Sequence, residues 1–237
     1  MNASHPPMKR KRTFIKRRTR TTFGENKYFD LHVGALALSI DGNYSTDQNF
    51  PLTIHPIPQG SGASQRIGRR LTLSSIHVRA SFTFHNSSQP TCRVRFIIYQ
   101  DKQCNGTGLA RVNAMDTDNP AFDLLQPHSV TRNNMTTRTV NYLSYYNLFN
   151  RDRFKILLDK FIVLNAMYKD GTSHVSGGQT LRWNLDCNIP IEMTQTAAGV
   201  ATNVSNITSN NIGVLPIAEF GAIVHSDIYT RVRFVDS

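Results

Sequence analysis

Acidic side chains are scarce in this sequence, and glutamate most of all: Glu25, Glu192 and Glu219 are the only three in 237 residues. Surface helices ordinarily draw on Glu–Lys pairs and strong helix formers, so a mainly helical protein is excluded. Cysteine is nearly as rare. Cys92, Cys104 and Cys187 are odd in number and never stand at CxxC spacing. That excludes a disulfide scaffold and a cysteine-rich zinc site, and it fits a reducing compartment. In such a compartment the sequons at Asn43 and Asn206 carry no weight. No run of about 18 apolar residues occurs, so no membrane-spanning helix and no membrane insertion are expected. The basic N-terminus has no apolar stretch behind it, which reads against a secretory signal.

Catalytic signatures are missing too. The glycines of 60–68 lack the Lys-Ser/Thr of a phosphate-binding loop. There is no G-x-S-x-G elbow and no H-E-x-x-H pair. The eight histidines (5, 32, 55, 77, 85, 128, 174 and 225) have no ligand spacing. His77 and His85 share a strand face with Arg79, which reads as a polar sheet face. Asp116 and Asp118 could pair as carboxylates, but Asn119-Pro120 behind them reads as a helix cap. No catalytic residue, metal or cofactor is expected, and the chain does not read as an enzyme.

Threonine, at 22 residues, and asparagine, at 20, are abundant. The first favours strands and the second turns. Leu, Ile, Val and Phe make up about a quarter of the chain, enough for a substantial core. The formal charge is +11, and it is unevenly placed. Lys9, Arg10, Lys11, Arg12, Lys16, Arg17, Arg18 and Arg20 fall within residues 1–22, which hold no acid. The other 215 residues carry 19 bases against 16 acids. The chain therefore divides into a basic arm, 1–22, and a nearly balanced domain, 23–237. Crowded like charges predict that the arm is disordered when free. Its five arginines suit bidentate phosphate contacts, and Lys9–Arg12 with Lys16–Arg18 have the composition of a nuclear-localisation signal.

The domain reads as strands joined by long polar loops. Residues 31–40 form a short apolar strand. Ile76, Val78, Ala80, Phe82 and Phe84 alternate with polar residues, while Leu71 and Leu73 have the opposite parity, which predicts a bulge near Ser74–Ser75. Strands are also expected at 92–99, 154–164, 180–192, 221–225 and 228–235, with turns at 86–90 and Asp170-Gly171. In the 154–164 strand, Ile156, Leu158, Ile162 and Leu164 fall on one face. Pro190 belongs at a strand end or on an edge. Asn119-Pro120 opens a short helix to Leu125. Residues 194–211 are uncharged and read as a surface loop. Seven or eight strands in an antiparallel sandwich fit this pattern.

Three stretches belong together: Gln59-Gly60 with Arg66–Ile76, Tyr99–Gly106, and Asn150–Lys160. With the Arg-rich arm and a last strand ending Val-Arg-Phe-Val-Asp236, the chain resembles the capsid proteins of small circular single-stranded DNA viruses that encode a replication initiator, circovirus-like and geminivirus-like. One position departs, Cys104, where the resemblance leads one to expect Thr or Pro. The resemblance implies an all-β fold, an eight-stranded antiparallel jelly-roll sandwich with long loops, and a T=1 icosahedral shell of sixty copies. It also implies packaging of the single-stranded DNA genome through the arm, assembly in the host nucleus by way of an import receptor, residence in the virion, and attachment to an unidentified cell-surface receptor. Sixty arms would bring roughly 480 positive charges, too few for a longer genome, so body cations would have to contribute. Arg66, Arg69, Arg70 and Arg79 are the candidates, in a stretch with no acid from Asn49 to Gln100. Other readings are a coat protein of a small RNA virus, a nuclear nucleic-acid binder that never assembles, and an enzyme or lectin on a sandwich scaffold.

Overall fold

The computed structural model describes residues 25–38, 52–85, 91–104, 124–126, 128–132, 135–165, 182–197, 207–219 and 223–236. The basic arm, the 86–90 turn, Asp116, Asp118 and Asp170-Gly171 lie outside them. So does the expected 119–125 helix, apart from Leu124 and Leu125, the latter in an isolated bridge with Tyr146.

Eleven strands are present among the described residues, where seven or eight were expected. They are β1 (Asn26–Leu38), β2 (Leu52–Thr53), β3 (Arg70–His85), β4 (Thr91–Asp101), β5 (His128–Arg132), β6 (Met135–Thr139), β7 (Phe154–Asn165), β8 (Arg182–Ala197), β9 (Ile207–Ser209), β10 (Asn211–Ala218) and β11 (Ile223–Asp236). The first sheet has the order β1-β11-β3-β8-β9, the second β2-β10-β4-β7, and β5-β6 is a separate hairpin. Every strand pair is antiparallel.

The two larger sheets share one core. Ile76, Val78 and Phe82 of β3 and Val232 and Phe234 of β11 face Val94, Phe96 and Ile98 of β4 and Ile212 and Val214 of β10, all fully buried. Phe82 and Phe96 meet edge to face at 5.5 Å, a favoured ring geometry. The expected bulge is present. Ser75 pairs with Arg233 and Leu73 with Phe234, so Ser74 is left over, and its Oγ donates to the Arg233 carbonyl at 3.2 Å. The extra residue switches parity, so Leu71 and Leu73 are buried together with Ile76 and Val78.

A second core covers the outer face of the second sheet. Ile97, Tyr99, Leu215 and Ile217 pack beneath Leu124, Leu125, Val140 and Tyr142 of the β4–β7 connection. Arg95 fastens this flap. Its guanidinium donates to both carboxylate oxygens of Asp159 at 3.0 and 2.7 Å and to the Ser144 carbonyl at 2.5 Å. The Tyr146 hydroxyl donates to Asp159 at 2.5 Å. Both faces of the second sheet are therefore dry around β10, and all eight of its residues are buried.

This corrects several expectations. The run read as a loop, 194–211, contains the end of β8, all of β9 and buried Asn211. Gly221–His225 and Ile228–Val235 are not two strands; within the described residues one strand runs from Ile223 to Asp236, with Ser226 buried between. Pro190, expected at a strand end or on an edge, is on an edge: it sits at a register shift inside β8, where nothing among the described residues pairs with the strand's outer side. In β7 the shift between Ile98 and Tyr99 leaves Leu157 over, so Ile156 packs into the flap core while Leu158 stays in the main core.

Candidate nucleic-acid interface

The arm's charges lie outside the described residues, but the place where the arm joins the domain is well defined. β1 opens at Asn26, paired with Val235 at the end of β11. Lys27, 4 % exposed, donates from Nζ to Asp236 Oδ2 at 2.9 Å and to the Gln65 carbonyl at 3.0 Å. The Ile67 amide donates to the same Asp236 oxygen at 3.2 Å. The start of β1, the end of β11 and the 57–70 loop are thus tied at one end of the first sheet.

That loop is closed on itself. The Gln65 amide donates to the Gly62 carbonyl and the Gly60 amide to that of Arg66. The Gln65 side chain accepts from the Gly62 amide at 2.9 Å. A Cβ at Gly60 would stand 2.1 Å from that side chain, so the glycine makes room for the turn rather than for a phosphate.

Arg66 is fully buried, which corrects the expectation that it is an exposed cation beside Arg69 and Arg70. Its Nε donates to the Ile57 carbonyl at 3.3 Å and an Nη to that of Gly68 at 2.6 Å. Burial lowers its pKa, with Asp236 acting in the opposite direction. Sequence could not separate Arg66 from its neighbours, because its fate depends on carbonyls that the folded loop turns inward.

Arg69 and Arg70 are exposed, and no ion pair to either occurs among the described residues. Arg70 opens β3, one residue beyond the Leu71–Asp236 pair, so it lies at the end from which the arm leaves. Arg233 shares this end. It is exposed and its guanidinium lies 5.2 Å from the centre of the Tyr28 ring, a cation–π contact. Arg233 and Tyr28 are additions to the residues singled out from sequence. The alternation of Tyr229, Arg231 and Arg233 with Ile228, Thr230 and Val232 was the available signal.

Further along the same solvent-facing surface the charges cancel. Arg231 donates to both oxygens of Asp30 at 2.7 Å. Arg79 donates to Asp186 at 3.1 Å, and His77 contacts the other oxygen of that carboxylate at 2.5 Å. These contacts hold Asp30 and Asp186 below the usual carboxylate range, through Arg231 for the first and chiefly His77 for the second. His32 stacks on Tyr229 with ring centres 3.9 Å apart. The polar face expected around His77 and Arg79 is thus a lattice of cross-strand pairs. On this side of the molecule the described cations without a carboxylate partner lie instead at the arm end: Arg69, Arg70 and Arg233.

No group of three or more His, Cys, Asp and Glu side chains able to hold a metal occurs among the described residues. None of the three cysteines is in a disulfide; Cys104 is fully buried and donates from Sγ to the Ile207 carbonyl at 3.1 Å. Burial pushes the Cys92 thiol up to about 11, so it is protonated and unreactive at neutral pH. No helix among the described residues is long and apolar enough to cross a membrane. A scan against protein-family models and a search of curated proteins find no match to the chain.

Proposed function

We propose that this chain is the coat protein of a small circular single-stranded DNA virus of the kind that encodes a replication initiator, and that it assembles into a closed shell and packages the genome through its basic arm. The observation that carries the reading is a nested strand order with a cationic tail leaving from one end. Set aside β9 and the β5-β6 hairpin, and eight strands remain. Counted in chain order, the first pairs with the eighth (β1-β11), the second with the seventh (β2-β10), the third with the sixth (β3-β8) and the fourth with the fifth (β4-β7). A folded-over antiparallel ribbon wound into two sheets would have this nesting, which supports the jelly-roll reading.

The division of labour follows from charge. The eight arm cations precede β1 in sequence, and the exposed Arg69, Arg70 and Arg233 lie at the end where β1 opens, while the charges Asp30, His77, Arg79, Asp186 and Arg231 further along the first sheet are paired with one another. Lys and Arg of such an arm contact phosphates, which positions the nucleic acid without reading its sequence. Phosphate neutralisation releases counterions, so binding through the eight arm charges gives a slope of log K against log salt of roughly −5 to −6 on single strands. Residues 9–12 and 16–18 also serve nuclear import in this reading, so the protein would act in the host nucleus before residing in the virion. Sixty copies in a T=1 shell are the expected assembly.

Deleting residues 2–22 tests the arm. The truncated protein retains its folded domain, and its particles lose most of their DNase-sensitive cargo. Unchanged cargo in truncated particles rejects the arm's role, and cargo sensitive to RNase instead of DNase transfers the protein to the RNA-virus class. Replacing Arg69 and Arg70 together with Gln reduces the salt slope by about 1.4, two single-strand contacts.

A further inference from the structure

His55 is fully buried, and its surroundings are polar but uncharged. It follows Ile54, whose amide donates to the Ile212 carbonyl at 3.1 Å and whose carbonyl accepts from Thr230 Oγ1 at 3.1 Å. The Nε2 of His55 contacts the side-chain nitrogen of Gln195, which is 1 % exposed. Gln195 also donates to the Asn210 carbonyl at 3.4 Å. Asn210 has φ 58°, a left-handed residue that lets the chain turn from β9 into β10, and its side chain accepts from Gln100 at 2.8 Å. Two buried polar atoms of this cluster, His55 Nδ1 and Asn211 Oδ1, have no hydrogen-bond partner. The first sheet contributes Gln195 and Thr230, the second Asn211, Ile212 and Gln100, so His55 stands where the two sheets are joined at the mouth of the 54–68 loop.

The other end of that loop is the anchorage of the arm. Arg66 holds Ile57 and Gly68, and Gln65 and Ile67 are held by Lys27 and Asp236. Ile54 and Ile57, at the start of the loop, are buried in the main core. We infer that protonation of His55 opens this loop and loosens the root of the basic arm, so that the chain carries an acid-operated release of its nucleic-acid-binding segment. A protonated imidazole at this position needs an acceptor at both nitrogens. Nε2 faces an amide nitrogen and the Ile212 carbonyl compensates the charge only in part, so the charge is accommodated by leaving the core. The groups facing the ring from the packed elements are Gln195, Asn210, Asn211 and the Ile212 carbonyl. Carboxylates on those strands are paired elsewhere: Asp101, opposite Asn211, is bound by Arg153, and Asp236 by Lys27.

Burial lowers the His55 pKa from 6.5 to about 3, the Ile212 carbonyl offsetting only part of the cost. A group with a depressed histidine pKa supports the closed form above its unfolded value and withdraws that support as pH falls. With these two values the closed-to-open ratio drops about thirtyfold between pH 8 and pH 5 and about 300-fold by pH 4.

Hydrogen–deuterium exchange of the full-length protein, corrected for the intrinsic pH dependence of exchange, reads this directly. Amides of residues 54–68 and 25–30 are expected to lose about thirtyfold in protection between pH 8 and pH 5, while those of β4 keep theirs. His55→Gln, which cannot titrate, removes that pH dependence. Equal loss in the variant, or constant protection in the wild type, overturns the inference. If the variant fails to fold, the wild-type His55 ring titration by NMR decides: a ring that takes up its proton near pH 6.5 with the loop still protected contradicts the account, and one that charges only together with loop opening supports it. None of these outcomes depends on whether the protein forms a shell.

Discussion

The two sheets each carry a cross-strand arginine–aspartate pair of nearly the same geometry. Arg231 grips Asp30 on the first sheet with two bonds of 2.7 Å, and Arg95 grips Asp159 on the second at 3.0 and 2.7 Å. The side chains of the first pair are 59 % and 57 % exposed, those of the second 6 % and 23 %. In water the attraction competes with hydration and is screened by salt, so the Arg231 pair organises a surface without holding it. Under the flap, hydration is much reduced. The Arg95 guanidinium also takes the Ser144 carbonyl and lies 5.0 Å from the Tyr146 ring, so the same chemistry becomes a fastening point. Position relative to solvent, not the identity of the pair, decides what it does.

Arg95→Ala breaks the comparison at its strongest point. Asp159 is left in a partly dry site and the flap loses two anchors, so unfolding stability falls by about 3–5 kcal/mol, read by denaturant titration. A loss under about 1 kcal/mol would place the flap among weakly held loops. Gly213→Ala is next. A Cβ at Gly213 would stand 2.4 Å from the Tyr99 ring, within a strand buried on both faces, and the overpacking costs about 1–3 kcal/mol. The smallest effect belongs to Arg231→Gln, which leaves the denaturation midpoint unchanged at high salt; a clear shift there would mean the first sheet's face is covered in the working protein.

Acid sharpens the same contrast. Burial tends to raise the Asp159 pKa, but hydrogen bonds from Arg95 and Tyr146 outweigh it and the net shift is downward. The stability this carboxylate contributes is present above its ordinary value near 3.8 and is lost as pH falls through its lower folded value. The His55 loop yields earlier, from pH 6.5 downward. Two acid transitions, loop first and flap later, are the expected order in a pH titration of site-resolved probes.

The first sheet was the more legible of the two. β3, β8 and β11 each have one wet face, and the alternation that results gave their positions and even the bulge at Ser74. β11 was split in the sequence reading at Ser226–Asp227, because buried Ser226 looks like a turn residue until its strand neighbours are known. β10 carries no alternation at all. Ile212, Val214, Leu215 and Ile217 serve two cores at once, and Gly213 and Pro216 interrupt them, so the segment resembles a connection. For the interface, local charge counting found Arg69 and Arg70 but not the burial of Arg66, which is set by long-range folding. Arg233 and Tyr28 meet across strands separated by some 200 residues of sequence, and their pairing appears only once β1 lies against β11.

Electron microscopy of the purified full-length protein, with and without added circular single-stranded DNA and over a range of salt, tests the coat-protein account most directly. The account predicts uniform closed shells that protect the DNA from nuclease and that form with DNA where the protein alone stays dispersed at high salt. Protein that binds the DNA yet remains monomeric or dimeric under every condition would contradict it, and would make this chain a nucleic-acid-binding sandwich that does not assemble.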